Sequence, residues 1–77
     1  MTDKEWNEEL STIVASAGLP WRVSAAWVRQ QHNTCGAELT NTRTGAERAL
    51  TMPLNEFPTR AARRAEIVRQ LAAATRR

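Results

Sequence analysis

The chain has 77 residues, of which 42% are hydrophobic, and a formal net charge of +3. A chain of this length can build one hydrophobic core but no second domain, and it has little room for a deep cavity that encloses a substrate or a large cofactor. These properties favour a binding module over an enzyme, and we expect no cofactor.

Cysteine usage and the N-terminal residues bear on the compartment. Cys35 is the single cysteine, so neither an internal disulfide nor a cysteine-rich zinc site can form, and no metal is expected. The first five residues are polar and acidic, and no stretch approaches the ~20 apolar residues of a membrane span. We therefore expect a cytoplasmic protein of a bacterial cell without membrane contact.

The charge is unevenly distributed along the chain. Residues 1–20 carry a net charge of −3, residues 21–52 carry +2, and residues 53–77 carry +4. A basic end of this kind attracts nucleic acid or an acidic protein surface over a long range, and salt weakens that attraction. The expected partner is a protein or ribonucleoprotein complex, with nucleic acid also possible.

The first predicted element is an amphipathic helix over about residues 2–17. Apolar side chains recur there at the spacing that lines one helix face. Those side chains are Trp6, Leu10, Ile13, Val14 and Ala17. Thr2 and Glu5 have the spacing of a capping box, and Gly18 is a typical helix end.

Three strands are predicted next, at about 21–31, 37–42 and 46–52. The apolar period changes to two at Trp21, which is typical of a strand with one face on a core. The side chains expected to face inward are Trp21, Val23, Ala25 and Trp27, followed by Leu50 and Met52 in the third strand. The turns between strands are predicted at 32–36 and 43–45.

A final helix is predicted over about residues 56–75. Asn55 or Thr59 can cap it, and it tolerates Pro58 in its first turn. The order of elements predicts an α+β fold, α-β-β-β-α, in one domain over residues 1–77. Both helices would pack on one face of a three-stranded antiparallel sheet, and the other face would stay open.

Arginine side chains are the candidate binding residues. Arg60, Arg63 and Arg64 lie in the first turns of the final helix, where the helix dipole disfavours positive charge. They are either solvated surface charges or a patch that binds phosphate or carboxylate groups. The full candidate set is Arg22, Arg43, Arg48, Arg60, Arg63, Arg64 and Arg69, and Arg76 and Arg77 extend the charge further.

Tryptophan and histidine are the other residue types that could carry function. Three tryptophans could serve as hot spots or base-stacking platforms, but their spacing predicts core positions, with Trp21 the most exposed. His32 is the only plausible general base, and a solvent-exposed loop histidine is the alternative. The outward sheet face is a second candidate docking surface, so both a monomer and a homodimer remain open.

Parts of the chain resemble the HicA family of small toxins. The resemblance lies in Gly18-Leu19, in Trp27-Val28-Arg29-Gln30-Gln31-His32, and in Thr44-Gly45-Ala46-Glu47-Arg48 leading to Thr51-Met52-Pro53. It implies a fold like that of the double-stranded-RNA-binding domain, and cleavage of RNA by one histidine in a Gly-Ser-His type motif. His32 would be that histidine, although Gln31 precedes it here in place of Gly-Ser.

In size and composition the chain is also similar to the small anti-CRISPR proteins of phages and mobile elements. That resemblance implies a non-enzymatic inhibitor that occludes a surface of a CRISPR effector complex. It is the preferred hypothesis. The alternatives are a HicA-like mRNA interferase that uses His32 and a plain RNA- or DNA-binding domain.

Overall fold

The elements follow one another as predicted. The computed structural model describes residues 1–75, so Arg76 and Arg77 lie outside the described residues. The elements are α1 (Asp3–Ser16), β1 (Trp21–Arg29), a short 3-10 helix (Gln30–His32), β2 (Thr34–Asn41), β3 (Glu47–Pro53) and α2 (Arg60–Thr75). The strands form one antiparallel sheet in the order β1-β2-β3. The α+β class with the order α-β-β-β-α is confirmed.

Helix α1 begins and ends at signals that the sequence contains. The side chain of Thr2 accepts a hydrogen bond from the Glu5 amide, and the Glu5 carboxylate accepts one from the Thr2 amide, so the capping box is confirmed. Gly18 has a φ of +66°, a conformation that glycine adopts without strain. Its amide and that of Leu19 donate to the last turn of the helix, which completes a Schellman motif.

One hydrophobic core lies between the sheet and the two helices. Trp6 and Leu10 from α1, Leu39 from β2, and Ile67 and Leu71 from α2 are all buried in it. The indole nitrogen of Trp6 donates a 2.9 Å hydrogen bond to the Gly36 carbonyl, so this large side chain buries no unpaired donor. Both helices therefore cover the same face of the sheet, and the opposite face is open.

A β-bulge at Ser24 changes which side chains of β1 face the core. Val23 pairs with Leu39 but Ala25 pairs with Glu38, so Ser24 is an extra residue in β1. An extra residue reverses the alternation of side chains beyond it. Trp21 and Val23 face inward as predicted, but the inward prediction for Ala25 and Trp27 is wrong.

Ala26 and Val28 occupy the core side in their place. The predicted alternation, with Trp27 inward, would place Val28 outward, and that consequence of the prediction is therefore also wrong. Trp21 is only 5% exposed, so the expectation that it is the most exposed tryptophan is wrong as well. Trp27, which is half-buried on the open face, takes that role.

The first connection of the sheet lies earlier in the chain than predicted. Gln30–His32 form the 3-10 helix and Asn33 has a φ of +54°, so the chain reverses there. Asparagine tolerates this left-handed conformation better than most residues. Cys35 and Gly36, which were predicted in the turn, lie in β2 instead.

Helix α2 begins four residues later than predicted, at Arg60. The residue before a proline is disfavoured in the helical conformation, and Phe57 precedes Pro58. The Thr59 hydroxyl accepts a 3.1 Å hydrogen bond from the Ala62 amide, so Thr59 rather than Asn55 is the capping residue. Within residues 1–75, no helix has the length and apolar character needed to cross a membrane.

Candidate binding surfaces

A buried carboxylate joins the two helices. Glu9 lies on the core side of α1, and its side chain is only 5% exposed. Arg63 of α2 donates two hydrogen bonds to it, from Nε at 2.6 Å and from Nη2 at 2.9 Å. The third guanidinium nitrogen of Arg63 donates to the Phe57 carbonyl at 3.1 Å. Arg63 is thus a structural clamp that fixes the start of α2 against α1.

The ionisation of Glu9 reflects this arrangement. Burial disfavours the charged form, but hydrogen bonds and charges from Arg63 and Arg60 outweigh it, and the pKa of the Glu9 carboxyl lies below its ordinary value. Glu9 is therefore a carboxylate at neutral pH, and its charge offsets one of the arginines beside it.

Arg60 and Arg64 remain as exposed cations on the helix side of the molecule. The Arg60 side chain is 78% exposed and shares the Glu9 carboxylate at 3.3 Å. Arg64 is exposed, and its Nη2 donates a long hydrogen bond of 3.5 Å to the Ser16 hydroxyl. Ser16 is the last residue of α1, where the negative end of the helix dipole favours a nearby cation. We call Arg60 and Arg64 the α2 basic surface.

The other candidate arginines are distributed over three places. Arg69 is paired with Glu66 through two hydrogen bonds of 2.6 and 2.8 Å. Arg43 lies in the β2–β3 turn and Arg48 at the start of β3, and both border a shallow cleft beside the end of α2. Arg22 lies on the open face of the sheet. The structure therefore separates the predicted set rather than joining it into one patch.

The open face of the sheet carries a tryptophan above a glycine. Trp27 pairs with Gly36 of the central strand, and Gly36 pairs with Thr51 of β3. A Cβ atom at Gly36 would lie 2.8 Å from Cζ2 of Trp27. The indole therefore covers Gly36, in a space that exists only because residue 36 has no side chain.

His32 lies at the protein surface, whereas Cys35 lies in the core. His32 is exposed in the 3-10 helix, whereas the side chain of Cys35 is fully buried on the core side of β2. Burial raises the pKa of the Cys35 thiol to about 11. The neutral thiol is a poor nucleophile, and the core keeps it away from His32.

Cys35 should therefore resist thiol reagents in the folded protein. We expect an aromatic disulfide reagent at pH 8 to modify Cys35 only as fast as the protein opens, because the thiol is protonated and enclosed. The rate of absorbance change with and without denaturing urea measures this. Reaction in native buffer at the rate seen in urea would contradict the buried position.

Comparisons with known proteins do not add a relative. No protein-family model matches the chain, no curated protein matches it in sequence, and no solved structure matches its fold. In the part of the chain that the structure describes, no group of three His, Cys, Asp or Glu side chains could hold a metal ion.

Glu9 was not identified as a candidate from the sequence, and Trp27 was assigned to the core. Glu9 follows Trp6 by three positions and precedes Ile13 by four, so helical spacing alone places it on the buried face. A charged residue on the buried face of a helix indicates that an oppositely charged partner lies beside it. The exposure of Trp27 has no comparable signal, because it depends on the bulge at Ser24.

Proposed function

We propose that this chain is a non-enzymatic binding protein, and that its α2 basic surface binds the phosphate backbone of a nucleic acid. One observation carries the proposal: Arg63 makes the two shortest contacts to Glu9, while Arg60, which shares that carboxylate at 3.3 Å, and Arg64 stay exposed and line the same groove. Guanidinium groups match the geometry and charge of phosphate oxygens.

The way in which the surface is held supports the same proposal. The clamp between Glu9 and Arg63 fixes the first turns of α2, so both exposed arginines project from a rigid base. Charges on a rigid element lose less conformational freedom on binding than charges on a loop. The surface would bind without reading sequence, since contacts to phosphates carry no sequence information directly.

The narrower proposal is an inhibitor of the anti-CRISPR type. An effector complex that carries a guide RNA presents phosphates together with protein, and a small basic protein can occlude such a surface. The α2 basic surface supports an anti-CRISPR inhibitor through phosphate binding alone, which any nucleic-acid-binding protein shares. An effector loaded with its guide RNA is therefore the second probe below.

Charge reversal of the surface tests the proposal. We expect Arg60→Glu with Arg64→Glu to weaken binding to a 20-base-pair RNA duplex by about 10- to 100-fold, because two phosphate contacts are replaced by repulsion. The slope of log affinity against log salt concentration should become shallower by about 2. Fluorescence anisotropy at several salt concentrations measures both quantities.

The matched control is Arg43→Glu with Arg48→Glu, which changes the net charge equally beside the far end of α2, away from the α2 basic surface and from the outward face of β1. Duplex binding should be retained in that variant, apart from a small general electrostatic loss. Equal losses in the two variants would show that only net charge matters and would contradict a defined surface. If the wild-type protein binds loaded effector but neither RNA nor DNA, the partner is a protein surface.

His32→Ala provides the test of the alternative nuclease. We propose no cleavage step, so the His32→Ala variant should bind RNA as the wild type does. RNA incubated with either protein should stay intact on a denaturing gel. Cleavage by the wild type that disappears in His32→Ala would overturn the non-enzymatic proposal.

A further inference from the structure

The outward side chains of β1 form a strip with an aromatic residue between two arginines. The strip consists of Arg22, Ala25, Trp27 and Arg29, all of which point away from the helices. We call it the β1 strip. We propose that the β1 strip is a second binding site, which takes a single-stranded nucleic acid and stacks one unpaired base on Trp27. This site does not depend on the α2 basic surface, which lies on the other side of the sheet.

The environment of Trp27 makes its indole a platform rather than part of the core. Cζ2 and Cε2 of the ring lie 2.8 and 2.9 Å from the position that a Cβ atom would take at Gly36, so one side of the ring rests on the central strand. Trp27 is half-buried, whereas Trp6 and Trp21 are buried under the helices. An indole that rests on the strand in this way keeps an exposed part on which another planar group can stack.

The neighbours of Trp27 on this face are short. Ala25 comes two residues earlier on the same strand, and Ala49 lies in the same cross-strand row as Ala25. Thr51 lies in the row of Trp27, beyond Gly36. These small side chains leave room for a planar base to approach the indole.

Two arginines of the open face mark the line along which the nucleic-acid strand would bind. Arg22 and Arg29 both lie on β1, and within residues 1–75 neither forms an ion pair. They stand about 20 Å apart, from the rise of an extended strand. A backbone that runs along β1 can therefore place phosphates near both arginines, with bases directed toward the middle of the sheet.

Two carboxylates of this face lie beside that path, in the rows of Ala25 and Arg22, and Asp3 lies at the edge of β1, where its carboxylate accepts a 2.8 Å hydrogen bond from the Val28 amide. Glu38 lies on β2 and Glu47 on β3, so neither shares the strand that carries the arginines. Glu38 is one row from Trp27, on the side toward which the bases would point. A carboxylate there can accept a hydrogen bond from the exocyclic amino group of a base, as Asp and Glu do with cytosine. We therefore infer a preference for bases that carry an amino group.

Intrinsic fluorescence offers a direct test. Trp6 and Trp21 are buried, so a ligand on the open face should change the emission of Trp27 alone. We expect a ten-nucleotide cytosine RNA strand to quench the emission of the wild-type protein in a saturable way. A ten-unit abasic phosphodiester strand, which has the same charge but no bases, should quench little. The Trp27→Phe variant should lose the quenching.

Affinity measurements with labelled RNA complete the test. Trp27→Ala should weaken binding of the cytosine strand at least about fivefold, as expected for the loss of base stacking. Trp27→Leu should weaken it similarly while keeping Gly36 covered, so it separates lost stacking from lost folding. Arg22→Glu with Arg29→Glu should weaken it further. Arg60→Glu with Arg64→Glu should keep the quenching even if duplex binding is lost.

Three results would overturn the proposal. One is equal affinity for the abasic and cytosine strands, and another is unchanged affinity in Trp27→Leu. The third is that Trp27 becomes shielded from iodide as protein concentration rises, together with a dimer in sedimentation velocity. That last result would assign the open face to a second copy of the chain.

Discussion

Glu9→Ala is expected to lower the free energy of unfolding by about 3 kcal/mol. Removing one partner of a buried ion pair leaves the other without compensation, which costs about 3–5 kcal/mol. Here Arg63 would keep a side chain only 14% exposed while losing two of its three hydrogen bonds. A domain of this size holds about 4–12 kcal/mol in total, so the variant should fold with a reduced margin.

Urea unfolding followed by circular dichroism measures this change. Glu8→Ala is the matched control, since it removes the same charge from an exposed position next to Glu9. Its effect should stay within about 0.5 kcal/mol. Glu9→Leu combined with Arg63→Met should recover most of the loss, because no buried charge is then left unpaired. A Glu9→Ala cost below 1 kcal/mol would contradict the clamp.

The same carboxylate predicts a dependence on pH. The pKa of Glu9 is lower in the folded protein than in the unfolded chain, so its contribution is complete above the unfolded value of about 4.3. That contribution is lost as pH falls through the lower, folded value. The difference in unfolding free energy between wild type and Glu9→Gln should therefore be constant near pH 6–7 and shrink below about pH 4. A constant difference down to pH 2 would contradict the lowered pKa.

Gly36→Ala should lower the free energy of unfolding by about 2 kcal/mol. The new methyl group would lie 2.8 Å from Cζ2 of Trp27 and 2.9 Å from the Leu50 carbonyl oxygen. The indole can shift, but the carbonyl belongs to β3 and can move only with the sheet. Overpacking of this kind costs about 1–3 kcal/mol.

A double-mutant cycle separates the two contacts. Adding Trp27→Leu to Gly36→Ala should relieve part of the cost, and the remainder would report the Leu50 carbonyl. Gly45→Ala is the contrasting variant, because Gly45 has a φ of +76° and open space around its Cα. Its cost, about 1 kcal/mol from backbone strain, should be unchanged by Trp27→Leu. A Gly36→Ala cost below 0.5 kcal/mol would contradict the close approach of the indole.

The parts of the fold that were predictable depend on local signals. The capping box at Thr2 and Glu5 and the glycine at residue 18 define α1 without reference to the rest of the chain. The order of helix, three strands and helix follows from the change of apolar period and from turn residues. Interactions between residues close in the sequence determine these features, so the sequence alone predicts them.

The surfaces depend on contacts between distant residues and were predictable only in part. The position of Arg63 on α2 identified it as a candidate binding residue. Its side chain instead binds Glu9, which lies 54 positions earlier in the chain, and is mostly buried there. Arg60 and Arg64 remain exposed, as their position near the start of the helix indicates. The apolar pattern of β1 does not indicate the bulge at Ser24, so the sequence does not predict that the Trp27 side chain points to the open face.

The extra residue in β1 also has a consequence for how this chain tolerates length changes. Deleting Ser24 would join Val23 directly to Ala25, whose partners Leu39 and Glu38 are already consecutive in β2, so the register would become regular and Trp27 would stay on the open face. Strand β2 has no extra residue, so a deletion there would shift part of the strand against both neighbours and turn buried side chains such as Cys35 and Ala37 outward. A single-residue deletion should therefore be tolerated better at Ser24 than at Glu38 in the middle of β2, and the length of β1 can vary by one residue at the bulge without changing which side chains face the core.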